Sequence, residues 1–369
     1  MSVTTNSNSS KKKVLFMLPL LNFGGAERVI ITLMSNIDKN KYEPIFVVLG
    51  DHGNVKDWVP EGIEFHSLGK SSVKSSIFAF YKFLRKTNPD IAITTMVHAN
   101  ALLAVMKPLF PKTKFIIRES STPSALMTDF YGRKGKFCIY VYRYLYPLAD
   151  LVISPAQSII DDFKDNLKIS MKNHKVLYNP VDEIKIQKTL PESFEGDREI
   201  LRFVAAGRLN YEKGFDRLIK ALGGAQMPFN WRLDILGEGP KREELSKLIK
   251  DNGLENHVFL RGYQDAPWVI ISKSDVFLLS SRWEGMPNVA LEALACGTKV
   301  IAMKEAGGIV DIDALTPDDV VQVADTIEEF VEKMSISKAE GKEKPAPSLL
   351  PKEFDLERVI KNFEGMLDD

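Results

Sequence analysis

The chain is predicted to fold as two doubly wound α/β domains. Three observations carry this. Its 369 residues exceed what one hydrophobic core usually organises. Short apolar runs alternate with helical patterns through both halves, which implies parallel sheets covered on both faces. Glycine-rich or polar turns follow several of these runs, at the strand ends where doubly wound sheets bind ligands.

In the first half, strands are expected at Lys13–Leu18, Pro44–Leu49, Ile63–Leu68, Ile91–Thr95, Phe115–Ile117 and Leu151–Ser154, with helical patterns between them such as Ser75–Lys86. The first strand leads into Asn22-Phe23-Gly24-Gly25-Ala26-Glu27-Arg28 and then a helical pattern. Gly24 and Gly25 let backbone approach a ligand, and the helix start supplies N–H donors. Neither a Rossmann fingerprint nor a P-loop is present, because no third glycine and no Gly-Lys-Ser/Thr follow. His98 and Asn100 follow the Ile91–Thr95 strand, and Arg118 and Glu119 follow Phe115–Ile117. Asn179-Pro180-Val181-Asp182 closes this half, and the polar segment 183–199 reads as the interdomain linker.

The second half opens on the strand Leu201–Ala205 and the loop Gly207-Arg208-Leu209-Asn210-Tyr211-Glu212-Lys213-Gly214. Arg208 and Lys213 put two cations on one strand-to-helix loop. That suits a diphosphate, since arginine clamps bidentately and lysine acts as a point charge. Trp231–Leu236 ends in Gly237-Glu238-Gly239-Pro240, and Val258–Arg261 ends in Gly262-Tyr263. The buried run Val276–Leu279 then meets Glu284-Gly285-Met286-Pro287-Asn288-Val289, and a small-residue helix carries Glu292. Its unpaired N–H groups form an anion site. By itself the glutamate pair is ordinary for a βα turn with surface carboxylates; the accompanying motifs decide its meaning. Val300–Met303 and Ala306-Gly307-Gly308 complete the core motifs, and Ile309-Val310-Asp311-Ile312-Asp313 follows. Asp311-Ile312-Asp313 imitates a D-x-D metal motif, but nothing nearby supplies further ligands. Lys338–Pro351 reads as a flexible loop and Glu353–Leu367 as an amphipathic helix.

These motifs, in this order, resemble the GT-B glycosyltransferases, specifically the retaining family 4 (glycosyl transferases group 1), over roughly residues 13–335. The resemblance implies two Rossmann-like domains facing across a cleft, with residues 1–12 a disordered tail, 13–182 the acceptor domain, 183–199 a linker, 200–352 the donor domain, and 353–369 a helix returning to the first domain. It implies that Glu284 lies near the donor hexose, that Glu292 binds the ribose, and that Arg208 and Lys213 hold the diphosphate. Gly24, Gly25, Gly207, Gly237, Tyr263, Gly285, Met286, Pro287, Asn288 and Val289 complete the donor site. Arg208, Lys213 and Glu284 are the expected catalytic residues; His98, Asn100, Arg118 and Glu119 are expected on the acceptor side. Family members often carry a histidine near position 118, and this chain departs from that. No metal and no cofactor are expected beyond the nucleotide-sugar donor, taken as UDP-linked. The implied reaction moves a hexosyl or N-acetylhexosaminyl unit to a glycan or polyprenyl-diphosphate-linked saccharide, in polysaccharide, lipopolysaccharide or glycoprotein glycan assembly. The alternatives are a non-hydrolysing nucleotide-sugar epimerase and a non-catalytic nucleotide-sugar-binding protein.

Composition agrees with a globular protein, at 44% apolar and 27% charged residues. Cys138 and Cys296 sit in apolar surroundings and read as buried thiols. No apolar run reaches the length of a membrane span, and the polar, basic stretch Met1–Lys13 reads as a tail rather than a signal peptide. The net charge of zero hides an asymmetry. Residues 1–181 hold 24 Lys+Arg against 14 Asp+Glu, a difference of +10; residues 182–369 hold 25 against 35, a difference of −10. A basic half implies an anionic partner. No nucleic-acid-binding motif is present. The segments Phe78–Lys86 and Tyr131–Tyr146, the latter with Lys134, Lys136 and Arg143, mix cations and aromatics as interfacial helices do. The expected partner is therefore an anionic membrane surface, and the expected location is cytoplasmic, peripheral at the inner face of the membrane.

Overall fold

The computed structural model describes residues 11–19, 24–50, 59–129, 133–194, 200–339 and 343–369. The first lobe runs β1 (Lys12–Leu18), α1 (Gly25–Asn36), β2 (Tyr42–Val48), β3 (Glu64–Ser67), α2 (Val73–Thr87), β4 (Ile91–Thr95), α3 (Val97–Met106), β5 (Lys114–Arg118), α4 (Pro123–Asp129), α5 (Arg133–Tyr140), β6 (Leu151–Ser154), α6 (Gln157–Asp165) and β7 (His174–Val176). After α7 (Glu183–Thr189), the second lobe runs β8 (Leu201–Ala206), α8 (Phe215–Gly223), β9 (Trp231–Leu236), α9 (Arg242–Asp251), β10 (Val258–Gly262), α10 (Pro267–Lys273), β11 (Val276–Leu279), α11 (Asn288–Ala295), β12 (Lys299–Met303), α12 (Ile309–Asp313), β13 (Val321–Ala324) and α13 (Ile327–Ser335). The last helix is α14 (Leu356–Asp368).

Two parallel sheets result, in the orders β3-β2-β1-β4-β5-β6-β7 and β10-β9-β8-β11-β12-β13. Each order reverses direction once, between β1 and β4 and between β8 and β11. Ligands bind at such switch points, beyond the carboxyl ends of the strands. The strands are buried on both faces, which is why they read as continuous apolar runs rather than alternating ones. In β1, Val14, Phe16 and Leu18 face the side covered by α1 and α14, whereas Leu15 and Met17 join a core that continues into the second lobe. That shared core also takes in Ile186 of α7, Val204, Phe277 and the apolar face of α11.

Several expectations change. β1 begins at Lys12, inside the expected tail. The stretch read as a linker opens with α7, capped by Asp182 and anchored by buried Ile186; Gln187 Nε2 donates to the Ala295 carbonyl at 2.6 Å. The expected flexible loop is packed over residues 343–351: Leu349 N–H donates to Leu294 O at 2.8 Å, and the Ala346 and Pro347 carbonyls lie against Gly297. Charge and proline marked absence of regular structure there, not absence of contacts. The stretch Tyr131–Tyr146, read as an interfacial helix, forms α5 over Arg133–Tyr140 and then changes form, widening to a π-turn over Val141–Leu145 and tightening over Tyr146–Leu148. This buries Tyr142 and Tyr146 completely, edge-on to one another and against Phe163. Asn22, Phe23, Tyr131 and Gly132, and the side chains of Arg133 and Lys134, fall outside the described residues.

Candidate functional site

The strand-end loops of the second lobe build the site. Gly207 N–H donates to Leu236 O at 2.9 Å, and Gly237 N–H donates to Gly262 O at 2.7 Å. Three neighbouring loops are thereby locked side by side, with Arg208 exposed on the first and Tyr263 exposed beyond the last. On the other side of β8, the loops after β8 and β11 are stitched together. Ser280 Oγ donates to Lys213 O at 2.9 Å. Arg217 donates from Nε to Ser280 O at 3.0 Å and from Nη2 to Ser281 O at 2.8 Å. Arg282 grips both oxygens of Asp216 at 2.7 and 2.8 Å and lies 3.9 Å from the Tyr211 ring centre. Gly214 sits at φ +67, where a Cβ would overlap the Ser280 carbonyl, so the turn admits only glycine.

This stitching brings Lys213 and Glu284 together. Lys213 Nζ lies 2.6 Å from Glu284 Oε1 and 3.6 Å from Glu212 Oε1, and Ser281 Oγ donates to the same Glu284 oxygen at 2.8 Å. Both side chains are largely buried, at 17% and 12% exposure. Burial pulls the Lys213 pKa down, but the Glu284 and Glu212 carboxylates outweigh it and leave the ammonium above its ordinary value. Lys213 is therefore a fixed positive charge at the strand ends. Asp216, Arg217 and Arg282 escaped the sequence reading. Their signal was an adjacent Asp-Arg pair after Gly214 and a lone arginine before Glu284, which become partners only once β8 and β11 are neighbours.

Glu292 lies one helical turn into α11. Trp268 Nε1 donates to its Oε2 at 3.1 Å. Burial raises its pKa, with the Trp268 bond and the charge of Arg28 opposing. Gly285, Met286 and Pro287 are buried, and Asn288 and Val289 are half-buried. Across the cleft, Gly25 at the start of α1 faces Asn288 so closely that a Cβ would come 3.0 Å from Asn288 Nδ2. Two helix N-termini thus converge on one space. Each carries a partial positive charge, so together they favour an anion.

The acceptor-side expectations divide. His98 is exposed and stacks on Phe137 at 5.7 Å. Asn100, Arg118 and Glu119 are buried instead of facing the cleft. Asn100 Nδ2 donates to Arg118 O at 2.9 Å and meets the Tyr146 hydroxyl at 2.7 Å. Glu119 accepts from that hydroxyl at 2.7 Å and from the Ser120 and Ser121 N–H groups at 2.9 and 3.3 Å. Burial raises the Glu119 pKa and lowers that of Arg118 to about 10. The physical reason is the close packing of β5 against α3 and the turn after α5, which leaves a charged side chain no route to solvent. Arg118 acts through a relay: its Nη2 bonds Asn179 Oδ1, and Asn179 Nδ2 donates to Asn288 Oδ1 at 2.5 Å.

Glu119 also shapes the turn that meets the donor loop. Thr122 Oγ1 donates to Glu284 O at 2.5 Å, and a Cβ on Gly285 would overlap the Ser120 carbonyl. Asp311 of the apparent D-x-D motif is occupied otherwise, accepting from the Gln157 and Ser158 N–H groups. Among the described residues no group of three or more His, Cys, Asp or Glu is placed to hold a metal.

Comparison with known proteins agrees with this geometry. Residues 23–184 match the family model described as Glycosyltransferase Family 4, and residues 187–343 match Glycosyl transferases group 1. A Campylobacter jejuni protein named N-acetylgalactosamine-N,N'-diacetylbacillosaminyl-diphospho-undecaprenol 4-alpha-N-acetylgalactosaminyltransferase is 33% identical over 302 residues, covering 78% of this chain and 80% of the relative. The lipopolysaccharide 1,6-galactosyltransferase of Escherichia coli is 28% identical, with 80% of each chain covered. The solved lipopolysaccharide outer core galactosyltransferase WaaB superposes with a TM-score of 0.74 at 20% identity, over 97% of this chain and 99% of that one. Anabaena HepE, solved with UDP and glucose, gives 0.76 at 17% identity over 97% and 99%. Two parallel doubly wound sheets, the family-model matches and these relatives together show that the chain is a GT-B glycosyltransferase belonging to the group 1, family 4 glycosyltransferases.

Proposed function

We propose that the protein transfers a hexosyl or N-acetylhexosaminyl unit from a UDP-sugar to a hydroxyl of a lipid-linked saccharide, with retention at the anomeric carbon and without a metal. The observations that carry this are Lys213, held as a buried cation beside Glu284, and the N-termini of α1 and α11, which approach one another at Gly25 and Asn288. Arg208, Lys213 and the two helix ends stabilise charge developing on the departing diphosphate. The bond from the anomeric carbon to the diphosphate oxygen breaks, and the acceptor oxygen bonds to the same face. The acceptor's proton passes to the departing phosphate. Glu284 orients the sugar, and Glu292 holds the ribose. The named activities of the Campylobacter relatives on diphospho-undecaprenol saccharides support this acceptor class, and the UDP in the Anabaena structure supports this donor. The Campylobacter and Escherichia relatives and WaaB are named as transferases, which leaves the epimerase and non-catalytic readings without support.

The test is a panel of UDP-glucose, UDP-galactose, UDP-N-acetylglucosamine and UDP-N-acetylgalactosamine with a polyprenyl-diphosphate-linked saccharide, read by NMR of the new anomeric centre with EDTA present. An α-linked product at undiminished rate is expected. A β-linked product, or complete loss restored by Mg²⁺ or Mn²⁺, counts against the proposal. Within the same reading, Glu292→Ala weakens UDP affinity about tenfold with little change in kcat, because ribose contacts are alike in ground and transition states. Unchanged UDP affinity in a titration removes the ribose role.

Membrane docking through the first lobe belongs to the same proposal. α2 exposes Lys74, Phe78 and Lys82, with Lys82 Nζ 4.4 Å from the Phe78 ring centre. α5 and the turns after it expose Lys136, Phe137, Tyr140, Arg143, Tyr144 and Leu148 at helical spacing. α3 packs against both segments and exposes Val105 between them. Cations beside exposed aromatics suit an anionic lipid interface, at about 1 kcal/mol per cation. Among the described residues no helix is long and apolar enough to cross a membrane. The protein is expected to bind anionic liposomes in a salt-sensitive way, and reversing Lys82, Lys136 and Arg143 together should abolish this. Equal binding to neutral liposomes speaks against the proposal.

A further inference from the structure

Asp311 lies in the second lobe, is buried, and is spent entirely on the first. α6 begins at Gln157 with Ala156 as its N-cap, which offers no side-chain acceptor. Asp311 supplies one from across the lobe boundary: Oδ1 accepts from Gln157 N–H at 2.6 Å and Oδ2 from Ser158 N–H at 3.2 Å. These first-turn donors have no intrahelical partner and carry the positive end of the helix dipole, so a carboxylate is the favoured cap.

The same short segment also touches the donor loop. Gly308 N–H donates to Gly285 O at 2.8 Å, and a Cβ on Gly308 would stand 2.7 Å from Gly285 O and 3.2 Å from Ala156 Cβ. Residues 308–311 are therefore wedged between the loop bearing Glu284 and the start of α6. The first lobe grips that loop a second time through Ser120 and Thr122.

We propose that Asp311 is a positioning residue, a cap supplied in trans that registers the acceptor lobe against the Glu284 loop. It touches neither donor nor acceptor and acts through α6 and Gly308. Registration matters only when both substrates must meet, because small misplacements cost rate rather than donor affinity. Nucleotide binding, which draws on Lys213 and Glu292, does not require it.

The proposal rests on the transferase reading above. Its test compares Asp311→Ala and Asp311→Asn with wild type in UDP affinity, in kcat and KM in the UDP-sugar assay, and in hydrogen exchange at the Gln157 and Ser158 amides. For Asp311→Ala the expected result is UDP affinity and donor KM within about twofold, kcat lowered about tenfold, and exchange at both amides about tenfold faster, the scale of losing a charged helix cap. Asp311→Asn keeps one acceptor oxygen in the same volume, so its kcat falls about threefold. If Asp311→Ala does not fold, the asparagine variant carries the comparison. Unchanged kcat despite faster exchange overturns the proposal. So does a parallel loss of UDP affinity and kcat, which assigns Asp311 to the stability of the donor lobe. Exchange is read without an acceptor, so failure of the clasp is distinguishable from failure of the transferase assay.

Discussion

Lys213→Ala lowers turnover by about a hundredfold or more at saturating nucleotide sugar, on the scale of losing one preorganised oxyanion donor. Lys213 meets that standard of preorganisation. Its ammonium is fixed by Glu284 and Glu212, and its backbone carbonyl by Ser280. The substitution also affects folding. It leaves the Glu284 carboxylate, 12% exposed, without its cation, at a cost of about 1–3 kcal/mol. Arg208 is exposed. Arg208→Ala therefore reduces turnover on the same scale while stability stays within about 0.5 kcal/mol. Steady-state kinetics and denaturant midpoints check both variants. Turnover within twofold of wild type in either removes that residue from the diphosphate site.

Phe363→Ala destabilises the first lobe by about 3–5 kcal/mol, the usual cost of emptying a buried phenylalanine site. Phe363 is fully buried, 6.3 Å from the Phe16 ring, and α14 adds Val359, Ile360 and Leu367 to the same core. The ion pairs Lys12–Asp368 and Lys175–Asp369, at 2.8 and 2.7 Å, are roughly half exposed and contribute little. Chemical denaturation should become biphasic, with the early transition confined to the first lobe. A single transition at the wild-type midpoint contradicts this role for α14.

The sequence was most readable where chemistry and local pattern coincide. Buried parallel strands announce themselves as apolar runs, so most of both sheets could be placed. β7 has three residues and a half-buried, partly polar face, and it carries no such signal. The placement of Arg208, Lys213 and Glu284 in strand-end loops, and of Glu292 in the helix that follows, was legible because each lies near the end of an apolar run and a glycine turn. Glu119 was misread for a corresponding reason. Nothing local distinguishes a strand-end carboxylate turned toward the cleft from one turned inward to a tyrosine 27 residues away. The Asp216–Arg282 clamp, 66 residues apart, depends wholly on sheet order. Tyr142 and Tyr146 belong to the core while Phe137, Tyr140 and Tyr144 are exposed, so two of the five described aromatics of that segment do not belong to the surface stripe.

α14 also determines when the protein can fold. Residues 356–368 close a core founded on residues 14–18, so the first lobe remains incomplete until α14 has been synthesised. The second lobe has its strands in one continuous stretch, 201–324, and can collapse while α14 is still in the ribosome. The order of maturation therefore runs against the order of synthesis: the lobe made first is completed last. During that interval the face of β1 that later receives Phe363 stays uncovered and apolar, the kind of surface that engages chaperones or a second nascent chain. A ribosome-stalled chain ending near residue 350 should consequently be more prone to aggregate than one that includes α14.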